Sequence, residues 1–347
     1  MKHFFVRLVR SRAKKSRDAR RYFSRRSPRV SSLALVPPRP PPDPREPRAM
    51  EKIAFGPDLA GYVCGDAGNP GVVVIQEWWG VNENVKSIAK KIAARGYRAL
   101  IPDLYRGKIG VNAEEAHHLM TNLDWGGAAG ACPPRDVSQP SPSPKNRASV
   151  RRPPSPDEDD HRHLILAPSS SRLTAGNPPR PRFFTPGETL EAARFLQSEG
   201  SPRVGVVGFC MGGALTLIVA SKAEAAALVA CAASFYGVPG ADACDFSRVA
   251  CPLQAHFGEE DTLEGFSDPS AAKRLEDALT SAGDKRFEIL RYPRVGHAFL
   301  NDLPEPFADF DAREKAQGFP PRDEAVVAEA WANLEKFFDE HLGEKKE

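Results

Sequence analysis

Short apolar runs alternate with amphipathic stretches along most of this 347-residue sequence. Residues 72–76 (VVVIQ) are typical of a strand buried on both faces, and residues 84–95 carry apolar side chains at helical spacing that Gly96 ends. The same patterns predict strands at 98–102, 203–207, 226–235, 252–257 and 287–292 and helices at 113–123, 188–199, 211–222, 270–282 and 322–341. Because strands that alternate with helices form parallel sheets covered on both faces, the pattern predicts an α/β fold.

Two segments interrupt this alternation. Residues 1–50 and 126–187 together contain 21 of the 33 prolines and carry net charges of +12 and +4. The whole chain carries +3, so the other 235 residues carry −13. The overall excess of basic residues therefore does not indicate a nucleic-acid-binding surface, since the part able to fold is acidic. We predict one folded domain made of residues 51–125 and 188–345, preceded by an extension and interrupted by an insertion.

The extension, residues 1–50, is rich in Arg and Ser and poor in acidic residues, which is typical of organellar transit peptides. Met50 directly precedes the predicted domain, so an alternative is that translation starts there and that the upstream residues are a gene-model extension. The first interpretation predicts a chloroplast or mitochondrial protein, and the second a cytoplasmic one. A nucleic-acid-binding arm is a third interpretation, but no folded module or interleaved aromatic residues accompany the charge.

The insertion, residues 126–187, contains too few large apolar residues for a core, and its Pro, Ser and Arg bias predicts an irregular, disordered segment. Loops of this length are uncommon inside compact domains, so we consider a lineage-specific insertion or a retained intron. Residues 157–163 (DEDDHRH) have the residue types of a metal site but no helical or hairpin spacing that would bring the ligands together. We predict no metal site there.

Composition also argues against several classes of protein. No stretch approaches 18 uninterrupted apolar residues, so we predict no membrane-spanning helix. The six cysteines form no CxxC pair and no regular framework, which favours free thiols in a reducing compartment over a disulfide scaffold or a zinc knuckle. We expect four of them to be packing residues and a fifth to lie in the insertion: Cys64, Cys231, Cys244 and Cys251, and Cys132.

The sixth cysteine lies in the strongest chemical signal, the sequence VGVVGFCMGG at residues 204–213. Gly208, Cys210 and Gly212 form the G-x-nucleophile-x-G pattern of a nucleophile elbow, with Cys in the place of Ser. Glycine two residues to each side permits the tight turn, because a side chain there would collide with neighbouring backbone. Such a turn places the sulfur at the carboxyl edge of the sheet, beside a helix N-terminus that favours a thiolate.

Two further residues follow predicted strands in the order that this chemistry requires. Asp261 comes after the strand at 252–257, and His297 comes after the strand at 287–292. Enzymes with such an elbow carry nucleophile, acid and base in this order along the chain. We therefore predict a catalytic triad in which His297 accepts the thiol proton and returns it to the leaving group, while Asp261 fixes the histidine tautomer.

On these motifs the chain resembles the dienelactone hydrolase (carboxymethylenebutenolidase) family of α/β-hydrolases over residues 51–125 and 188–345. The motifs are QEWWGVN (76–82), PDLYRG (102–107), GFCMGGAL (208–215), HFGEED (256–261) and GHAF (296–299). A cysteine nucleophile together with QE after the strand at 72–76 distinguishes this family from serine esterases. The resemblance implies a single α/β-hydrolase domain with a mostly parallel central sheet and helices on both faces.

The resemblance also implies roles for individual residues. Cys210, Asp261 and His297 correspond to the triad, and the backbone N–H groups of Trp78 and Met211 correspond to the oxyanion hole.

Glu77 corresponds to a glutamate that interacts with the resting cysteine and is displaced when substrate arrives, so that the thiolate forms only then. A carboxylate at the end of an apolar strand needs a partner in any case. A structural glutamate bonded to backbone amides is therefore the alternative.

The sequence departs from the family at the groups that bind the carboxylate of dienelactone. The bacterial enzymes bind it with arginines, one of them shortly after the catalytic histidine, whereas GHAF is followed here by Leu300 and Asn301. The helix at 113–123 offers no arginine either. Four aromatic residues suggest a more apolar acyl pocket, although they could equally be core residues: Trp78, Trp79, Tyr105 and Phe209.

These observations predict a hydrolase that cleaves a small ester or lactone through a thioester at Cys210, without cofactor or metal. We expect a small-molecule substrate, no nucleic-acid or membrane partner, and a monomer or weak homo-oligomer. A small-molecule receptor on the same scaffold is the alternative, because such receptors can keep an intact triad. Polysaccharide hydrolysis is a third interpretation, but it needs paired carboxylates across a cleft, and only Glu77 and Asp261 are candidates.

Overall fold

The computed structural model describes residues 49–56, 58–123, 186–283 and 286–343. These residues all lie in one compact unit, Pro44–Glu347. The predictions made for residues 1–48 and for the insertion up to residue 185 fall outside the described residues. They remain predictions, as do the domain boundaries that depend on them.

The described residues form one eight-stranded sheet in the order β1-β2-β4-β3-β5-β6-β7-β8. The first two strands pair antiparallel, and β2 is also antiparallel to β4, whereas every other neighbouring pair is parallel. The strands are β1 (Glu51–Ala54), β2 (Ala60–Cys64), β3 (Gly71–Ile75), β4 (Arg98–Pro102), β5 (Val204–Phe209), β6 (Cys231–Phe235), β7 (Leu253–Gly258) and β8 (Phe287–Tyr292). The predicted α/β fold with a mostly parallel sheet is confirmed.

Helices connect the parallel strands. Several begin at an Asn or Asp whose side chain accepts a hydrogen bond from a backbone N–H of the first turn, which satisfies a donor that has no partner within the helix. The helices are α1 (Glu83–Ala94), α2 (Ala113–Thr121), α3 (Pro186–Ser198), α4 (Met211–Ala220), α5 (Ala225–Leu228), α6 (Pro269–Ser281), α7 (Phe310–Gln317) and α8 (Glu324–Leu342), with a 3₁₀ turn at Phe246–Arg248.

The sheet separates two apolar cores because successive side chains of a strand point to opposite faces. In β3, Val73 and Ile75 pack into one core, and Val72 and Val74 pack into the other. All five residues of β3 are buried, as the uninterrupted apolar run predicts for a central parallel strand.

Several elements differ from the prediction. The structure adds β1, β2 and α7, and the predicted strand at 226–235 is the short helix α5 followed by β6. The first strand, EKIA, is exposed along most of its length, so it has no apolar run to reveal it. Helix α7, FDAREKAQ, buries Arg313 and Glu314 rather than an apolar stripe, and such a helix has no hydrophobic period.

In the part of the chain that the structure describes, no helix combines the length and apolar character needed to cross a bilayer.

The strands that matter for function are β3, β5, β7 and β8, whose carboxyl ends lie at the same edge of the sheet because they run parallel.

Candidate active site

Cys210 occupies the turn between β5 and α4 with backbone angles of φ 53° and ψ −116°, a conformation that a residue other than glycine rarely adopts. A Cβ at Gly208 would lie 2.0 Å from the carbonyl oxygen of Gly212. A Cβ at Gly212 would in turn lie 2.5 Å from the carbonyl oxygen of Ile75. Both contacts are far below van der Waals distance, so both glycines are required by the turn, as the sequence pattern predicts.

Asp261 and His297 meet although they are 36 positions apart in the chain. Asp261 Oδ2 lies 2.8 Å from Nδ1 of His297, and the two side chains are buried. The other carboxylate oxygen, Oδ1, accepts a hydrogen bond of 3.0 Å from the backbone N–H of Leu263. Asp261 is therefore held at both oxygens and presents one of them to the imidazole.

A third group touches the same ring nitrogen. Ser267 Oγ lies 3.0 Å from His297 Nδ1, and Ser267 is fully buried. No sequence motif singles out this serine, because it lies in a loop after β7 and its contact with His297 exists only after the chain has folded.

The opposite nitrogen of the ring, Nε2 of His297, is buried and makes no hydrogen bond with any described residue. His297 and Cys210 line the same cavity. Burial lowers the pKa of His297, but the charges of a Cys210 thiolate and of Asp261 outweigh burial, so the pKa of the ring lies well above the ordinary value of 6.5 once the thiol has given up its proton. The structure thus brings together the three residues that the sequence predicts as a triad.

The cavity beside Cys210 is small, with room of about 20 Å³, or one or two water molecules. It is more polar than the sequence suggested. Its described lining residues come from the end of β3, the elbow, the His297 loop and the segment that contains α7: Glu77, Trp78, Trp79, Cys210, His297, Ala298, Asn301, Glu305, Phe307, Arg313 and Gln317. Sequence reasoning missed the four from residues 305–317, which lack an apolar pattern or motif.

Glu77 is buried at the end of β3, and its Oε2 accepts a hydrogen bond of 3.0 Å from Nδ2 of Asn301. Its Oε1 has no hydrogen-bond partner among the described residues. Burial raises the pKa of Glu77, and hydrogen bonding from Asn301, the charges of His297 and Arg313, and a weaker interaction with the Tyr236 hydroxyl offset burial only in part. The expected backbone-amide partners of a purely structural glutamate are not seen in the described part of the chain, where Asn301 is the partner instead.

Arg313 is a buried cation, 3% exposed, on the cavity wall. Its Nη1 donates to the carbonyl oxygen of Ala298 at 3.3 Å, and its Nη2 lies 3.6 Å from Oε1 of Glu314. Burial lowers the pKa of Arg313, while the charges of Glu77 and Glu314 act in the opposite direction. The site therefore contains an arginine, although neither of the two positions at which the resemblance implies one carries it.

The four predicted pocket aromatics divide into two groups. Trp78 and Trp79 line the cavity, with their ring centroids 4.8 Å apart. Tyr105 and Phe209 are fully buried in the core instead of lining the cavity. Tyr105 donates to Met211 Sδ at 3.3 Å, and Phe209 stacks on Phe235 with a centroid distance of 5.1 Å.

The backbone amides of Trp78 and Met211 make no hydrogen bond with any described carbonyl. Met211 is the first residue of α4, so its N–H points out of the helix N-terminus without an intrahelical partner. Met211 follows Cys210 in the sequence, and Trp78 lies in the same cavity wall as Cys210. Their two unpaired amides are suited to bind an oxygen that develops negative charge.

The remaining described cysteines lie away from the cavity. Cys64, Cys231, Cys244 and Cys251 are buried, and no disulfide joins the described cysteines. Burial raises the pKa of the Cys64 and Cys244 thiols to about 11 and raises that of Cys231 as well. Buried thiols of this kind are weak nucleophiles, which fits the packing role expected for them.

Within the described residues, no group of three His, Cys, Asp or Glu side chains is arranged to hold a metal ion.

Comparison with known proteins places this chain in a family. A model of the dienelactone hydrolase family matches residues 59–133 and 186–342. Protein usf of Aquifex pyrophilus is 26% identical over 291 residues, which cover 83% of this chain and 95% of that protein. A carboxymethylenebutenolidase of Rhodococcus opacus is 29% identical over 146 residues, which cover 40% of this chain and 50% of that protein.

Among solved structures, a dienelactone hydrolase-like promiscuous phosphotriesterase from metagenomic libraries superimposes with a TM-score of 0.53 at 16% identity, covering 85% of this chain and 99% of that one. The sheet topology and the elbow define an α/β-hydrolase. The chain belongs to the dienelactone hydrolase family and is an ester-hydrolysing enzyme.

Proposed function

We propose that the protein hydrolyses small esters or lactones through a thioester formed on Cys210, with His297 as base and acid and Asp261 as the group that orients the histidine. One observation carries the proposal. Nδ1 of His297 is engaged by Asp261 at 2.8 Å, while Nε2 is unpaired and belongs to a side chain that lines the cavity together with Cys210.

The reaction follows from this arrangement in two halves. In the first, Nε2 of His297 takes the proton of the Cys210 thiol, and the sulfur forms a bond to the carbonyl carbon of the substrate. When the tetrahedral intermediate collapses, the carbon–oxygen bond to the leaving group breaks, and that oxygen takes the proton from His297. The acyl group then remains on Cys210 as a thioester.

In the second half, water replaces the alcohol. Nε2 of His297 removes a proton from the water, its oxygen attacks the thioester carbon, and the carbon–sulfur bond breaks. The sulfur recovers the proton from His297, and the carboxylic acid leaves. For a lactone, the alcohol and the acid belong to one molecule, so the product is an open hydroxy acid.

The oxyanion of each tetrahedral intermediate needs hydrogen-bond donors at the carbonyl oxygen. We assign this role to the backbone amides of Trp78 and Met211, which have no other acceptor among the described residues. Preorganised amides of this kind stabilise the transition state because they need no reorientation as the charge develops.

Glu77 is proposed to control the resting thiol. It lines the cavity with Cys210, and its Oε1 is buried without a partner. In this proposal the carboxylate interacts with the resting thiol and is displaced when substrate arrives. A Glu77→Gln enzyme whose thiol alkylation and turnover equal those of the wild type would contradict this role.

The test is a panel of p-nitrophenyl esters and lactones hydrolysed by the full chain, with wild type, Cys210→Ala and Cys244→Ala side by side. Cys244 is a matched control because it is buried, and its thiol donates to the carbonyl of Leu217 at 3.4 Å, outside the cavity lining. We expect Cys210→Ala to lose about 1,000-fold or more in kcat and Cys244→Ala to keep its activity.

Undiminished hydrolysis by Cys210→Ala would remove the nucleophile assignment. A single slow turnover with tightly retained product in the wild type would favour a receptor over an enzyme that turns over. Release of oligosaccharides from mixed-linkage glucan would overturn the thioester mechanism.

A further inference from the structure

We propose that Ser267 is a positioning residue for His297, whose hydroxyl shares the Nδ1 proton with Asp261 and so fixes the ring with Nε2 directed at the cavity. The inference rests on the triad proposed above. Ser267 Oγ and Asp261 Oδ2 lie 3.0 Å and 2.8 Å from the same nitrogen, and Ser267 is fully buried. Hydrogen bonds to one atom from two sides restrict the rotation of the ring more than a single bond does.

The loop after β7 holds both of these groups in place. The carbonyl oxygen of Leu263 accepts hydrogen bonds from the backbone amides of Phe266 and Ser267, each at 3.1 Å. The amide of Leu263 itself binds Asp261 Oδ1 at 3.0 Å. One turn therefore fixes the carboxylate and the hydroxyl relative to each other. The residue after the serine, Asp268, caps α6, which anchors the end of this turn to a helix.

The positions of the acceptors decide the tautomer. An ionised carboxylate can only accept a hydrogen bond, so Asp261 requires the proton to be on Nδ1. With that proton in place, Ser267 Oγ faces an N–H and acts as a second acceptor. The free lone pair of the neutral ring is then on Nε2, the nitrogen that has no partner among the described residues. This is the tautomer that can take a proton from a thiol.

The second acceptor also favours the charged ring over the neutral one, because an imidazolium N–H is the stronger donor. Removal of the hydroxyl should therefore lower the pKa of His297. If instead the serine donates its proton to Nδ1, it stabilises the opposite tautomer, and removal should raise that pKa. The direction of the change distinguishes the two arrangements. The other titratable or charged groups that face His297 or its cavity are unchanged in the variant: Cys210, Tyr236, Glu77, Glu305 and Arg313.

The experiment is the pH profile of kcat/KM for a p-nitrophenyl ester, measured with the full-length wild type, Ser267→Ala and Ser221→Ala. Ser221 is the matched control, because it is a buried serine whose Oγ donates to the carbonyl of Ile218 at 2.8 Å at the far end of α4. For Ser267→Ala we expect kcat to fall about tenfold with KM little changed, as for the loss of one hydrogen bond to a charged group.

We also expect the limb of the profile that reports His297 to move down by about 0.5–1 in pH for Ser267→Ala and to stay in place for Ser221→Ala. If Ser267 had only a structural role, Ser267→Ala would change the thermal stability, as Ser221→Ala does, without moving this limb of the profile. Ser267→Cys keeps the size of the side chain but offers a much weaker acceptor. It should move the limb in the same direction, so it replaces the alanine variant if that variant folds poorly.

An unmoved limb, whatever the change in kcat, or a limb that moves to higher pH, would overturn the proposal. Neither result touches the assignment of Cys210, which is decided by the activity of Cys210→Ala. The two hypotheses can therefore fail separately.

Discussion

Glu77→Gln should stabilise the protein, although it removes a group that we assign to the active site. The change replaces a buried carboxylate with a neutral amide of the same shape. In the wild type, one carboxylate oxygen accepts a hydrogen bond from Asn301 and the other has no partner among the described residues. A buried carboxylate has lost its hydration, and here only one of its oxygens regains a hydrogen bond. The loss lowers the free energy of unfolding.

The sign of the pH dependence follows from the pKa of Glu77. Burial raises this pKa above the value of 4.5 that applies to the unfolded chain. Below 4.5 the carboxyl group is protonated in both states and has no effect. As the pH rises, the unfolded state releases its proton before the folded state does, so stability is lost as the pH passes from 4.5 through the folded pKa. The glutamine variant lacks this loss.

The unpaired oxygen sets the magnitude. A buried polar group without a partner costs about 1–3 kcal/mol, and the neutral amide of glutamine recovers only part of this, so we expect a gain of about 1–2 kcal/mol at pH 8.5. For a domain of this size that gain corresponds to a rise of roughly 2–8 °C in melting temperature. The assay is thermal unfolding by circular dichroism at pH 5.5, 7 and 8.5.

Glu314→Gln is the matched control. Glu314 is also a buried glutamate, but its Oε1 accepts from the backbone N–H of Arg322 at 3.0 Å and lies 3.6 Å from Nη2 of Arg313. Its charge is compensated, so the glutamine should bring no gain. The reasoning is refuted if Glu77→Gln melts at or below the wild-type temperature at pH 8.5, or if its gain is equally large at pH 5.5.

Two other substitutions test the elbow and the core. Gly212→Ala places a Cβ 2.5 Å from the carbonyl oxygen of Ile75. We therefore expect this variant to lose activity and to lose about 2–4 kcal/mol of the free energy of unfolding, measured with urea. Gly240→Ala is the control, because its Cβ would have nothing within 4 Å and the variant should behave like the wild type. Burial lowers the pKa of His256, which stacks on Phe235, to about 3 from 6.5. Stability is therefore lost as the pH falls below 6.5, by about 1.4 kcal/mol at pH 5.5. The urea midpoint of His256→Phe should change less between pH 7.5 and 5.5 than that of the wild type. Equal changes in the two proteins would exclude this account.

Local signals explain what could be predicted of the fold. The central strands β3, β4 and β5 are buried along their whole length, so a mostly apolar run marks each of them. The peripheral β1 and the polar α7 lack such a signal because their place is set by contacts with distant parts of the chain. A propensity or a period acts over a few residues and cannot report those contacts.

The site divides in the same way. The elbow could be predicted because Gly208, Cys210 and Gly212 satisfy a steric demand within five residues. Asp261 and His297 could be predicted because each follows a strand in a parallel sheet, so that their order along the chain implies their place at one edge.

The sequence by itself determined the class of fold, the elbow and the three residues proposed as a triad, since local sterics and the direction of the strands decide these. Only the tertiary structure decided that Asn301 binds Glu77 across 224 positions, that Ser267 reaches the histidine, and that Arg313 lines the cavity. These contacts join loops that the folded sheet brings together, and side chains in loops carry no period that would indicate their partners. The position of the nucleophile is thus set by residues close to it in the sequence, whereas the residues that contact Glu77 and His297 are brought there by the whole fold.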